Sequence, residues 1–393
     1  MIDGPLKVEG GGKLMYRKSF IKVCGVVVAL FILSGCVIDD TGTTVESWNP
    51  LIETVVSCDI SIEAIQRATE AMNIISTGSE LTFAIKQDGS LWAWEPRLST
   101  QLNDVVAVST KTRHAMALKS DGSLWIWGNN RYGQLGNGTT ENIYYPIKIM
   151  EDVIYISAGT WHSVAIKSDG SLWGWGIWVG GSGFRPTPIQ IMENVSAVSA
   201  EERLIIRTDG SLWRANTWWT EFVHIMDDVV AISSGFMYSM AIRTDGSLWA
   251  WGDNGAGQLG DGTTEDRDIP VKIMDDVVAV SAGMDFTMAI RSDGSLWAWG
   301  SNHFGQFGNG TNEDSLIPTK VMEDVIAVST GGISFEMSFI SPPIHTIALK
   351  SDGTLWAWGE TVNTGWGDET LPWHERSVIP LPPVQIAEGI RVP

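Results

Sequence analysis

Positive charge is scarce in this 393-residue chain: 26 Lys and Arg stand against 46 Asp and Glu, a formal net charge of −20. No run of Lys or Arg occurs after residue 22, so nucleic acid is not an expected partner, because its binding depends on clustered cations that neutralise phosphates. Cysteine is scarcer, with Cys24, Cys36 and Cys58 only, which excludes a disulfide framework and leaves burial to hold the fold. The apolar run Val23 to Leu33 has 11 residues and is short for a bilayer span. Catalytic signatures are missing too. There is no Gly-x-Ser-x-Gly elbow and no His-Glu-x-x-His, and Gly365 to Thr370 lacks the Lys of a phosphate loop. An enzyme is therefore not expected, and neither is a cofactor. At 44% hydrophobic and 18% charged residues, the composition is that of a folded chain.

Arg17, Lys18 and Lys22 precede the apolar run, which has the shape of a signal peptide core. The run leads into Leu33-Ser34-Gly35-Cys36, which resembles the lipobox of bacterial lipoproteins. That resemblance implies cleavage before Cys36, a diacylglycerol with palmitate-type chains on its sulfur, and a bacterial membrane protein facing the extracytoplasmic side. An uncleaved membrane anchor is the alternative. Residues 1–14 fit no signal peptide, so Met15 is the expected start. Residues 36–71 read as a tether, with a short helix within "ISIEAIQRATEAM", whose apolar positions fall at helical spacing. Without residues 1–35 the chain keeps 21 bases and 44 acids. Such a surface repels anionic headgroups, so a lipid rather than charge would hold the protein at a membrane.

Asp-Gly-(Ser/Thr)-Leu-Trp occurs seven times, beginning at Asp88, Asp121, Asp169, Asp209, Asp245, Asp293 and Asp352. The spacings of 33, 48, 40, 36, 48 and 59 residues suit four short strands per unit. In residues 277–324, "VVAVSAG" reads as strand A and "FTMAIR" as strand B. A Ser-Asp-Gly turn follows, then strand C, "SLWAWG", and a Gly- and Asn-rich loop leads to a proline-bearing edge strand D, "IPTKVM". Strands this apolar are buried on both faces, as they are when four-stranded sheets pack face to face around a ring.

The phrases "DGSLWAWG", "GQLGDGTT" and "VSAG" together resemble the repeat of the regulator of chromosome condensation family. The resemblance covers about residues 72–387, followed by a tail over 388–393, and it implies an all-β fold, a seven-bladed β-propeller of four-stranded antiparallel blades. Blades 2, 5 and 6 carry the complete Gly-Gln loop. Blade 4 is weakest, with Ala215 where a second Trp is expected, and blade 7 gains about eleven residues after Gly331. The family's guanine-nucleotide exchange activity works through a projecting β-wedge with no obvious counterpart here, so it stands as a remote alternative. Secreted members that act purely by binding, one of them a β-lactamase inhibitor, are the nearer parallel.

Thirteen of the 20 Trp fall in the Leu-Trp-x-Trp phrases, where alternation puts both on one face of strand C for packing between blades. The residue two before each turn Asp is always basic, and acids fill the D-to-A connections at the same end, so that face is expected to be a circle of exposed ion pairs. His114, His162 and His345 alternate with Leu81, Tyr238 and Phe286 at one position, which marks packing rather than metal ligation. Asp261, Asp266 and Asp268 form a solvated turn more readily than a Ca²⁺ site, because they lack the EF-hand spacing.

The remaining loops vary most, and they hold the candidate partner-binding residues. These are Trp161, Trp178, Trp218 and Trp219 on adjacent blades 3 and 4, Phe335 and Phe339 in the blade 7 insertion, and Trp366 and Trp373. The expected partner is a protein, with basic character favoured by the acidic chain, and a cell-wall glycan is the alternative. The propeller itself is expected to be a monomer.

Overall fold

The computed structural model describes residues 17–23, 26–32, 37–38, 44–45, 63–78, 81–93, 102–177, 179–331, 345–359 and 382–393. The chain divides into two compact units, Met1–Cys58 and Asp59–Pro393. In the first, Arg17–Val23 pairs antiparallel with Val26–Ile32, and Val37–Ile38 pairs with Thr44–Val45. Cys36 and Trp48 lie outside the described residues. No described helix is long and apolar enough to cross a membrane.

The second unit is a seven-bladed β-propeller. Six blades are four-stranded meanders and the first has three described strands. Strand A of each blade meets strand A of the next, and that of blade 7, Val325–Thr330, returns to that of blade 1, Ile75–Thr77, so the first strands form the inner ring. Five apolar clusters lie between blades rather than within them. One joins Met116, Leu124 and Ile126 of blade 2 to Ala165 and Trp175 of blade 3. This is why both faces of strands B and C are apolar.

Turn chemistry sets the register. The Asp-Gly turns place glycine at positive φ, for example 78° at Gly294. Every D-to-A connection also turns through a left-handed residue: Asp104, Asp152, Asn194, Asp228, Asp276 or Asp324, with φ of 60 to 62°. Asp and Asn tolerate that conformation best among non-glycine residues, so backbone geometry as well as charge accounts for the acids there. One residue later strand A bulges in blades 2 to 7, as between Val277 and Ala279, which swings the chain into the inner ring.

Two terminal segments complete the ring. The C-terminal residues 388–393, read from the sequence as a tail, repeat the D-to-A connection. Gly389 takes the left-handed position at φ 70°, and Ile390 pairs with Lys86 as Val105 pairs with Lys119. The Ile390 N–H donates to Gly353 O at 3.2 Å, as Val105 donates to Gly89 O at 2.9 Å. The inner strand of blade 1 is therefore composite, with Ile390 at its start and Ile75–Thr77 at its end. Ile390 is 2% exposed.

The helix expected within residues 60–72 spans 63–72 and is called α1. Its apolar stripe, Ile65, Ala68 and Ala71, is buried, while Glu63 and Arg67 pair at 3.5 Å on the outer side. Ile65 and Ala68 share a cluster with Val278 and Val280 of the blade 6 inner strand. Asn73 O accepts the Val108 N–H of the blade 2 inner strand at 3.0 Å. Thus α1 packs among the inner strands as part of the propeller unit, although the sequence grouped its residues with the tether.

Candidate functional site

The two ends of the propeller follow from the topology: B-to-C turns and D-to-A connections share one end, and A-to-B and C-to-D loops share the other. At the first end the repeated phrase forms a hydrogen-bond relay. In blade 5, Asp245 Oδ1 accepts the Ser247 N–H at 3.0 Å and its hydroxyl at 2.5 Å, and Ser247 Oγ accepts the Trp249 indole N–H at 2.9 Å. The same relay recurs at Asp121, Asp169, Asp209, Asp293 and Asp352. The hydroxyl of Ser or Thr, by bonding the charged form, holds all seven turn carboxyls below the usual carboxylate range.

The basic residue before each turn lies over the first Trp of its own blade. The cation-to-ring distance runs from 4.3 Å at Lys86 and Trp92 to 6.0 Å at Arg243 and Trp249, and the contact recurs in all seven blades. The expected ring of ion pairs is present only in part, at three of the seven bases: Arg291 meets Asp276 at 2.6 Å, Arg243 meets Asp228 at 2.9 Å and Lys119 meets Asp104 at 3.9 Å. Lys148, Lys272 and Lys320 pair with the acid three residues on, at 2.7 to 2.8 Å. Among the described residues, the second Trp of the phrase is mortar between blades. Trp175, Trp299 and Trp358 donate their indole N–H to the carbonyl of Gln134, Gln258 and Gln306 in the preceding blade at 2.7 to 2.9 Å. A Cβ on Gly260 would stand 2.6 Å from the Trp299 ring, which is why the loop carries glycine there.

At the other end, the Gly-Gln loops are braced internally. Asn254 is fully buried; its carbonyl accepts the Leu259 N–H at 3.0 Å and its amide bonds Thr263 O and Glu265 O at 3.0 to 3.1 Å. Two of the three aspartates weighed for Ca²⁺ are committed to this bracing, and Asp268 is exposed on the edge strand. Asp261 receives the Arg267 Nε–H at 2.6 Å and the Thr263 hydroxyl at 2.7 Å. Burial pushes its carboxyl up, yet these bonds leave it lowered. Asp266 accepts the Asn254 N–H at 2.9 Å. Among the described residues no group of three or more His, Cys, Asp or Glu is placed to hold a metal ion.

The residue that begins strand B straps its blade to the next. His114 Nε2 lies 2.9 Å from Ser163 Oγ, His162 Nε2 lies 3.0 Å from Ala200 O, and His345 Nε2 lies 3.1 Å from Thr82 Oγ1. Tyr238 donates to Phe286 O at 2.5 Å. Burial pushes His114 down to about 3 and also lowers His162, so both are neutral packing groups.

Blade 4 replaces the ring with a charge. By register Glu202 stands where Tyr238 stands in blade 5, and Arg214 stands where Ala250 does. Their side chains meet at 2.7 Å, Glu202 being 12% and Arg214 44% exposed. Burial raises the Glu202 carboxyl, while Arg214, Arg203 and the Met237 backbone of blade 5 pull it down. The pair was not recognised in the sequence, because each partner alone looks like decay of the repeat.

Of the candidate aromatics, Trp161, Trp218 and Trp219 are described; Trp178, Phe335, Phe339, Trp366 and Trp373 lie outside the described residues. Trp219 belongs to the core between blades 3 and 4, at 4% exposure, with its ring 5.8 Å from His162. It is therefore withdrawn from the contact surface. Trp218 is 49% exposed, and its carbonyl accepts the Gly180 N–H of blade 3 at 2.8 Å. Trp161 is half-buried and meets Tyr132 edge-on at 6.2 Å, and Tyr132 meets Phe184 at 5.7 Å. Phe184 is 52% exposed and Met237 60%. Tyr132, Phe184 and Met237 were not among the residues expected from the sequence, because the expectation rested on the loop tryptophans and on the blade 7 insertion.

The fold defined by these blades is a seven-bladed β-propeller whose variable loops gather at one end. The chain carries regulator of chromosome condensation (RCC1) repeats: the repeat profile matches residues 121–166, 245–290 and 293–332, and a second profile of the same repeat matches 105–134, 229–258 and 277–306. These stretches centre on blades 2, 5 and 6, where the Gly-Gln loop is complete. No curated protein matches the chain. Among solved structures, Prp20p from Saccharomyces cerevisiae, studied with its binding to Gsp1p and histones, is 18% identical with a TM-score of 0.63 over 82% of this chain and 89% of that one. Yeast RCC1 (Prp20) bound to Kap60 gives 18% identity and a TM-score of 0.62 over 82% and 87%. Human WBSCR16 is 20% identical with a TM-score of 0.57 over 65% and 83%. Propellers of this kind are mainly binding or exchange-factor scaffolds, and they generally mediate protein interaction.

Proposed function

We propose that this chain is an extracytoplasmic lipoprotein, anchored through Cys36, whose propeller binds another protein through the end formed by the A-to-B and C-to-D loops. The observation that carries the reading is the set of exposed aromatics on that end: Phe184 at 52%, in a ring chain with Tyr132 and Trp161, and Trp218 at 49%, whose backbone bonds Gly180 of blade 3. Large aromatic and Met side chains outside the repeat have no packing duty that the other blades fulfil without them, and such residues anchor protein interfaces. The similar propeller Prp20p also binds proteins, with Gsp1p, histones and Kap60 as its partners.

Crosslinking on intact cells through a photoreactive residue at Phe184, with identification of the captured molecule, tests the reading. The Phe184→Ala and Trp218→Ala variants should weaken the captured partner about tenfold or more with an unchanged melting temperature. Retention on purified peptidoglycan or glycans with no protein captured would favour sugar stacking on the same rings. Lipidation is tested separately by mass spectrometry: the mature N-terminus should carry a diacylglycerol on Cys36, and Cys36→Ala should release the protein from membranes.

A further inference from the structure

The loop end is electrically polarised across its aromatic centre. On blades 2 and 3 the exposed loop charges are Arg113, Arg131 and Arg185 against Glu141. On blades 5 and 6 they are acidic, and the basic residue there, Arg267, is taken by Asp261. Among the described residues no cation pairs with Asp253, Glu265, Asp285 or Glu313. Asp253 and Asp285 act on each other across neighbouring blades, and after burial, which is the larger cause, this repulsion raises the Asp285 carboxyl. At the opposite end Glu151, Asp228, Asp275, Asp276 and Glu323 each meet a base, which these four acids do not.

Contacts and chain neighbours lead from Trp161 to these acids. Trp161 follows Thr160, whose hydroxyl donates to Glu201 at 2.9 Å. Glu202 then receives the Met237 backbone of blade 5, and Met237 O accepts the Asp253 N–H at 3.0 Å. One partner segment can therefore touch apolar and acidic ground together.

We infer that the occupant of this face is a basic protein loop, its apolar tip on Phe184, Trp218 and Met237 and its Lys or Arg side chains against Asp253 and Asp285. This rests on the protein-binding reading above and adds the partner's chemistry and orientation. Uncompensated carboxylates beside apolar side chains favour a cationic segment through charge complementarity, and they speed its approach at low salt. The basic edge at Arg131 sets the direction, because it repels a partner docked the other way round.

The experiment uses the full chain held in detergent and a displayed library of random twelve-residue peptides as probe. Enriched peptides should carry Lys or Arg next to an aromatic or aliphatic residue. Their affinity should fall about tenfold in Asp253→Asn/Asp285→Asn and by a similar factor in Trp218→Ala, and should drop steeply with salt. Arg131→Gln should leave binding unchanged or tighten it. Enrichment of neutral or acidic peptides, or binding blind to the two Asn substitutions yet lost in Trp218→Ala, overturns the basic loop and leaves loop-face protein binding standing. Absence of any enriched peptide, with glycans retained on the same rings, overturns both.

Discussion

The two ends of this propeller are built from the same strands and differ in how their polar groups are disposed. At the turn end blades 2 to 7 repeat the relay from indole to hydroxyl to carboxylate, and all seven blades hold a base over the indole. Many of its charges are paired locally. At the loop end the Gly-Gln loops repeat in blades 2, 5 and 6, whereas the A-to-B loops change from blade to blade, and there charges and aromatics remain exposed. A repeat is thus informative about stability where it is kept and about recognition where it is lost.

The largest effect should come from breaking the mortar shared by both ends. Trp299→Ala removes a fully buried ring and its bond to Gln258 O, and should cost about 3–5 kcal/mol, read as a lower denaturant midpoint. A mild effect would mean that the blades do not depend on this ring. Ile390→Ala should cost about 2–5 kcal/mol, because it empties the start of the composite inner strand; an unchanged midpoint would show that the ring closes without it.

The charge swap in blade 4 sharpens the comparison further. Glu202→Ala leaves Arg214 unpaired and should cost about 1–3 kcal/mol, discounted for the exposure of Arg214, while adding Arg214→Ala should recover much of the loss. Additive losses would break the assignment of the two residues as one unit.

Acidification should act mainly on the turn end. The seven turn carboxyls sit below their ordinary value near 3.8, so their contribution is present above that value and is lost as pH falls through their lowered folded values. Glu202 and Asp285 are raised and have the opposite sign: their contribution is complete below the ordinary values of 4.5 and 3.8 and is lost as pH rises through the folded ones. Melting temperature measured from pH 6 to pH 2 should therefore fall most steeply below the ordinary Asp value. A profile with its main loss above pH 5 would contradict this. The smallest change belongs to single exposed pairs: Arg291→Ala should shift stability by about 1 kcal/mol or less.

Much of the scaffold was legible before any coordinates. Asp-Gly turns, strand-length apolar phrases and a seven-fold recurrence are local signals, and their sum pointed to the propeller and to the packing of the second Trp of the phrase between blades, while the first Trp proved half-buried under a base. The composite strand was not legible. Glu388-Gly389-Ile390 resembles Asp275-Asp276-Val277 only once the left-handed middle residue is known. The Glu202 and Arg214 pair escaped for a similar reason, since substitutions 12 positions apart compensate each other only across a strand pair.

The residues of the repeat, read in order, were enough to establish the blades, because each hairpin depends on neighbours a few positions away. Closure of the ring decided the rest. It brought Ile390 to Lys86, turned Trp219 inward while Trp218 stayed out, and set Phe184 beside Tyr132. Exposure is a property of what the chain's distant parts cover, and no local pattern contains it.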